Sequence, residues 1–277
     1  MSTTTTTIAA PAGSTPRSLA RNPGPFKRAI GDTMAVAGRN LITLVRLPQL
    51  LVFATIQPVI FVLLFRYAFG GAISTPGLAY VDYLMPGIFA QTVAFGSMGT
   101  GVGLAEDLNK GLIERFRSLP MARSAMLAGR ILSDLVRNVF VVVLMCAVGF
   151  AVGFRVHTNV VAFVGGLAVL LLFGCSLSAI FALVGLSVPN GEAAQAAAFP
   201  MLAPLVFASS AFVPVASMPG WLQVFSKHQP VSLVVDAMRA LSQGGPTTSY
   251  VVQSLIWTAG ILAVFGPLAV RRYRRAT

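Results

Sequence analysis

All but four of the 20 Lys and Arg residues in this 277-residue chain fall into three blocks, set apart by long uncharged apolar stretches. The blocks run from Arg17 to Arg46, from Lys110 to Arg137 and from Arg271 to Arg275. The stretches Leu47–Phe65, Tyr83–Ala105, Asn138–Phe154, Val156–Gly191, Ala193–Ser226 and Ala240–Val270 hold no Asp, Glu, Lys or Arg. A helix needs roughly 20 apolar residues to cross a bilayer, and an ionised side chain at its centre costs about 2.5–3.5 kcal/mol. With 56% hydrophobic residues, 10% charged residues and a mean hydropathy of +0.79, the chain does not fit an ordinary soluble domain. The pattern predicts an all-α integral membrane protein.

Lys and Arg are retained on the cytoplasmic side of membranes, so the three basic blocks are expected to share that side. Successive blocks are then joined by even numbers of crossings. Two fit between the first and second blocks, Leu47–Phe69 and Asp82–Ala105. Four fit between the second and third: Ile131–Phe154, Val160–Val188, Ala194–Val213 and Tyr250–Val270. The expectation is six transmembrane helices with both termini cytoplasmic in the cell membrane. Parity alone places the turn Pro189–Glu192 inside, because it has no Lys or Arg.

The Thr-rich start lacks an apolar core, so residues 1–25 read as a disordered cytoplasmic tail rather than a signal peptide. Residues 26–270 form the membrane domain and 271–277 a basic cytoplasmic tail. The formal net charge of +12 invites a nucleic-acid reading, but cations that flank membrane spans already account for it. Cys146 and Cys175 fall inside expected spans, as small buried apolar residues rather than a disulfide or metal pair.

Three amphipathic segments are not spans. In Phe26–Arg46 the apolar positions Phe26, Ile30, Met34, Ala37, Leu41 and Leu44 form one helical face opposite Arg28, Asp32, Arg39 and Arg46. That predicts an interfacial helix in contact with membrane lipids. In Glu106–Arg130 an apolar stripe of Leu108, Leu112, Phe116 and Leu119 ends at Pro120 and is flanked by Lys110, Glu114 and Arg117. Its spacing suits either a protein-docking helix or one folded against its own spans. In Val231–Gln243 the polar Ser232, Asp236, Arg239 and Gln243 face away from Val231, Val234, Val235, Met238 and Leu241, and Gly244-Gly245-Pro246 ends the helix. With Trp221 upstream, short outward-facing re-entrant helices are expected there.

Catalytic chemistry is missing from the sequence. Lys27, Lys110 and Lys227 follow Phe26, Asn109 and Ser226, so the chain has no phosphate-binding G-x-x-x-x-G-K-[ST] loop. No catalytic or metal set is expected, and no cofactor on this chain. Gly99-x-x-x-Gly103 and Gly149-x-x-x-Gly153 read as close helix packing. Asp82, Asp134, Glu192 and Asp236 fall at span ends or in loops, which disfavours an ion-coupled multidrug transporter. Asp134 reads as a structural ion pair with Arg130 and Arg137. Near the middle of the first two spans, Phe53, Gln57, Phe61, Gln91 and Phe95 form a candidate path for a bulky amphipathic cargo, or else interhelical packing.

The run Lys110-Gly111-Leu112-Ile113-Glu114-Arg115-Phe116-Arg117-Ser118-Leu119-Pro120 resembles the cytoplasmic-loop signature of type-2 ABC exporter permeases. Tyr83-Leu84-Met85-Pro86-Gly87, Ser209 to Pro214, His228-Gln229-Pro230, Val235 to Leu241 and Pro267 to Arg271 carry the likeness along the chain. It is closest to the daunorubicin/doxorubicin resistance permeases of actinobacteria. The resemblance implies a second permease copy as a homodimer partner and two copies of a separate ABC ATPase that binds ATP and magnesium. It further implies that Glu106, Lys110, Glu114, Arg115, Phe116, Arg117, Leu119 and Pro120 couple to that ATPase. The implied function is ATP-driven export of hydrophobic drugs or lipid-like metabolites, with glycolipid or polysaccharide export as the alternative.

Overall fold

The computed structural model describes residues 25–46, 48–73, 75, 77–111 and 123–276; the expected N-terminal tail lies almost wholly outside them. The described residues are helical throughout, without strands. Helix α1 (Pro25–Arg46) leads into α2 (Pro48–Leu63), which passes directly into a π-helical turn, Leu64–Phe69. Then come α3 (Tyr80–Asn109), α4 (Arg123–Val152), α5 (Val160–Gly185), α6 (Gly191–Phe207), the short α7 (Gly220–His228), α8 (Pro230–Gln243) and α9 (Thr247–Ala276). Among the described residues, four stretches are long and apolar enough to cross a membrane: Tyr80–Asn109, Leu127–Val152, Val160–Gly185 and Thr247–Arg275.

Helix α3 is the axis of the bundle. Of its apolar core 78% is buried, against 11% for the last helix, which lies at the periphery. Residues three and four apart share a face of a helix, and α3 uses three such faces. Val93, Ser97 and Gly101 meet α5, where the Ser97 hydroxyl donates to the Gly174 carbonyl at 3.0 Å and Gly101 touches the backbone of Gly185. Gly96, Gly99 and Gly103 meet α4. Gly87 and Phe95 meet the α6 side, with the Phe95 and Phe199 rings 6.0 Å apart and Gly87 against Ala211.

The two ends of the bundle differ in chemistry. At one end Val36 of α1, Leu108 of α3, Leu186 and Tyr273 of α9 form a small apolar cluster. There Gly191 lies against Glu106, and Arg272 Nε donates to the Leu186 carbonyl at 3.4 Å. The Pro189–Glu192 turn therefore shares its end with the central basic block, as parity requires. At the other end the Arg155 amide donates to Asp82 at 2.8 Å, and Gln243 Nε2 donates to the Arg155 carbonyl at 2.9 Å.

Several expectations need correction. The segment from Glu106 to Leu119 is not one helix: α3 continues to Asn109, and Gly111 then takes φ +63°, a left-handed conformation that no right-handed helix accommodates. Leu108 faces the bundle, half-buried, instead of continuing a docking stripe. Helix α6 stops at Phe207 rather than Val213, because the Ser209 and Ser210 side chains turn the chain toward α8. Gly153 serves as a left-handed terminator at φ +107°, while Gly149 packs on Met85 as a close-approach position should. Along α8 both sides are covered, with Ser232 and Ser242 buried along with Val231, Val234, Val235 and Met238. On α1, Val36 and Ala37 pack inward, while Ile30, Met34 and Ile42 stay exposed as an uncovered apolar strip.

Candidate functional site

Among the coupling residues expected from the sequence, Glu106 and Lys110 are described. They form an exposed ion pair at 3.3 Å where α3 ends. Glu114, Arg115, Phe116, Arg117, Leu119 and Pro120 lie outside the described residues. What the structure adds is the pair of helices that carry this loop. It leaves α3 at Asn109 and returns into α4 at Arg123, and both helices are cross-braced immediately above it.

The brace is a ladder of charge. Arg130, Asp134 and Arg137 lie on one face of α4, with side chains 21%, 6% and 17% exposed. Asp134 pairs with Arg130 at 3.6 Å and with Arg137 at 3.3 Å, and it accepts a 2.6 Å hydrogen bond from the Thr100 hydroxyl of α3. Asp107 of α3 stands 3.9 Å from Arg130 and 3.8 Å from Arg39 of α1. The guanidinium groups also donate to α3 carbonyls, Arg130 to Gly99 at 3.1 Å and Arg137 to Gly96. These contacts need α3 to have no side chains there. A Cβ on Gly99 would come within 2.7 Å of the Arg137 guanidinium, and Cβ atoms on Gly96 and Gly103 would run into Asn138 and Arg130.

Asp134 is thus buried on α4, about 16 Å along the helix from Arg123 and about 10 Å from Leu127, where the apolar span begins. The sequence did carry a signal for it: charges at 130, 134 and 137 on one helical face, matched by glycines at 96, 99 and 103 on the preceding span. The ion pair itself was legible; the glycine notches that receive it were read only as helix packing.

The candidate path residues do not form one cluster within this chain. The side chain of Phe53 lies outside those described, and Gln57 is exposed on α2. Phe61 joins a stack of rings with Phe65 at 6.0 Å, Phe207 at 6.1 Å and Phe212 at 6.1 Å. Gln91 lies on the α6 side of α3, one turn from both Gly87 and Phe95, and is 2% exposed. Its buried Oε1 has no hydrogen-bond partner among the described residues, which costs roughly 1–3 kcal/mol.

At the opposite end a second polar knot joins α8 to α3. Arg239 contacts Asp236 at 2.5 Å, donates to the Ser210 carbonyl at 2.7 Å and covers the Tyr83 ring at 3.7 Å. The Tyr83 hydroxyl donates to the Ser210 carbonyl at 2.9 Å. Burial pushes the Asp236 carboxyl above the ordinary carboxylate range, against the opposing pull of Arg239 and the Ser210 hydroxyl. The described residues contain no group of three or more His, Cys, Asp or Glu that could hold a metal ion. The arrangement suits mechanical transmission across a bilayer, with buried polar joints at both ends of α3.

The sequence profile of the ABC-2 type transporter family matches residues 32–242. A daunorubicin resistance ABC transporter permease protein, DrrB1 of Streptomyces coeruleorubidus, is 35% identical over 246 residues, 89% of this chain and 87% of its own length. A probable doxorubicin resistance ABC transporter permease protein of Mycobacterium tuberculosis, DrrC, is 32% identical over 238 residues, 81% of each chain. A putative transport permease of Cyanophora paradoxa, ycf38, is 27% identical over 219 residues, covering 76% of this chain and 74% of its own.

Proposed function

This chain belongs to the ABC-2 type transporter family, and from that premise we propose that it is the membrane-spanning permease subunit of an ATP-driven exporter of hydrophobic drugs or lipid-like metabolites. The observation that carries the reading is the 35% identity to a daunorubicin resistance permease across 89% of the chain. The chain has no phosphate-binding loop of its own, so a separate ATPase supplies the energy. Two ATPase copies and a second permease copy complete the exporter in this reading.

Six spans are assigned: α2 with its π-turn, then α3, α4, α5, α6 and α9, with both termini inside. Helix α6, at 17 residues, is about 25 Å long and reaches full membrane thickness only with the turn that follows it. Helix α1 lies on the inner surface with Ile30, Met34 and Ile42 against lipid. Helices α7 and α8 enter the outer leaflet and return. The loop from Lys110 to Pro120 receives the ATPase through Glu114, Arg115, Phe116, Arg117, Leu119 and Pro120. Phe53, Gln57, Phe61, Gln91 and Phe95 line the cargo path, Gln57 from a face of α2 open to the second copy.

The test is a deletion strain and its complemented parent, profiled for intracellular anthracycline, metabolites and envelope lipids. Accumulation of anthracycline or a lipid-like metabolite on deletion supports the reading. Loss of surface glycolipid or polysaccharide alone, with drug levels unchanged, replaces the proposed cargo with an envelope one.

A further inference from the structure

Resting on the coupling role proposed for the 110–122 loop, we propose that Asp134 is a positioning residue for transport. Through Arg130, Arg137 and Thr100 it locks α3 and α4 into one lever that carries loop motion to mid-membrane. The loop is joined in sequence to the end of α3 and the start of α4. A force on it enters the bundle through those two helices, and it carries deepest if they move together. If they slide past each other, the displacement is lost near the inner surface.

The ladder opposes sliding at three heights. Arg130 meets Asp107 lowest, Asp134 meets Thr100 in the middle, and Arg137 meets the Gly96 carbonyl highest. From Asp107 to Gly96 the contacts cover about 16 Å of α3. Three guanidinium groups share two carboxylates, and the surplus charge is met by carbonyls of α3. A carbonyl oxygen has two lone pairs, so Gly96 and Gly99 accept these bonds beside their own helix bonds. An arginine in the inner half of a span ordinarily snorkels to the nearer interface. Arg130 and Arg137 point into α3 instead, because Gly99 and Gly103 leave room for them. Arg39 brings α1 onto the same carboxylate, and Asn40 donates to Ser133 at 3.3 Å, so the surface helix is tied to the lever too.

Packing alone would also account for a buried ion network, so the test must read motion and coupling as well as stability. Spin labels at Ala79 and Phe150, near the outer ends of α3 and α4, are measured in the complex with the ATPase before and after trapping with ATP and vanadate. With the native ladder the interlabel distance stays within about 2 Å across the cycle. Asp134→Asn and Gly103→Ala, the latter expelling Arg130 from its notch, should separate or broaden the two populations. In proteoliposomes loaded with the fluorescent anthracycline daunorubicin, the same variants should hydrolyse ATP within twofold of the parent but transport at least tenfold less per ATP. Thr100→Val, nearly isosteric, should act in the same direction by about threefold, and it carries the test if Asp134→Asn does not assemble. Unchanged distances in all three variants would reduce the ladder to packing. Loss of bound ATPase from Asp134→Asn would mean that the ladder shapes the docking loop instead, which also overturns the lever. Normal ATPase binding by Phe116→Ala would sink the loop assignment separately, and leave uncoupling by Asp134→Asn standing.

Discussion

Arg239 of α8 lies 3.7 Å from the centre of the Tyr83 ring of α3 and donates to the Tyr83 carbonyl at 3.2 Å from Nη2. The same guanidinium reaches Asp236 and the Ser210 carbonyl, so one side chain ties three segments of this end of the bundle together. Removing one partner of a buried pair leaves an uncompensated charge, at a cost of about 3–5 kcal/mol. Arg239→Ala should therefore lower the unfolding midpoint of the purified protein steeply. Arg239→Lys should recover little, since lysine offers neither the planar stack nor the forked donors. A midpoint for Arg239→Ala equal to that of the parent would show the knot to be incidental.

Asp236→Asn should be milder than Arg239→Ala, because the amide oxygen can still accept from Arg239, which keeps its bonds to the Ser210 and Tyr83 carbonyls. Burial raises the pKa of this carboxyl, so its charged form is less favoured in the folded chain than in the unfolded one. A raised folded pKa means the native state holds its proton more tightly than the unfolded state does. Asp236 then contributes stability below its unfolded pKa, and that contribution is lost as pH rises through the folded value. Stability measured from pH 4 upward should fall less steeply for Asp236→Asn than for the parent; identical slopes would exclude the assignment.

Side assignment is open to impermeant maleimide labelling in intact cells. Ser187, exposed on the α5–α6 turn, and Thr248, exposed at the start of α9, stand at opposite ends of the bundle. A cysteine at Thr248 should label and one at Ser187 should not. Ser242, near the end of α8, is buried and should stay silent from either side. Labelling at Ser187 would reverse the assigned orientation.

Truncating the aromatic of the loop should break the complex. Buried aromatic anchors cost about 2 kcal/mol or more when cut to alanine, roughly 30-fold in affinity. Phe116→Ala should insert normally yet lose most of its co-purifying ATPase, and Glu114→Lys should act in the same direction. Full retention of the ATPase by both variants would return the loop to a structural role.

Gln91→Leu separates two roles for the buried amide. The side chain has an unpartnered oxygen, so its removal should leave stability unchanged or raise it by about 1–3 kcal/mol. If Gln91 lines the cargo path, the profile of drugs tolerated should shift at the same time. A destabilised protein with an unchanged profile would assign the amide to packing.

Much of this architecture was legible because a membrane constrains composition so strongly. Long uncharged runs located the helices, the basic blocks grouped their ends, and parity placed the Pro189–Glu192 turn, which has no Lys or Arg. Periodicity also found α1 and α8 as helices. It left the partner of the polar side of α8 unassigned; that side meets Tyr83 and Ser210. It failed where a single dihedral decides, since nothing in the 108–119 spacing revealed the left-handed Gly111. The glycine notches of α3 were read as helix packing because a missing Cβ fits a backbone or a guanidinium equally well until the partner helix is in place.

The central claim, that this chain is the permease half of an ATP-driven exporter, is tested most directly by reconstitution. The purified chain, together with a candidate ABC ATPase from the same organism, is placed in proteoliposomes, and daunorubicin movement is followed with and without ATP. The account predicts transport that requires both chains and ATP, and that is abolished by mutating the P-loop lysine of the ATPase. Equal transport by the permease alone, driven by an imposed proton or sodium gradient, would contradict it.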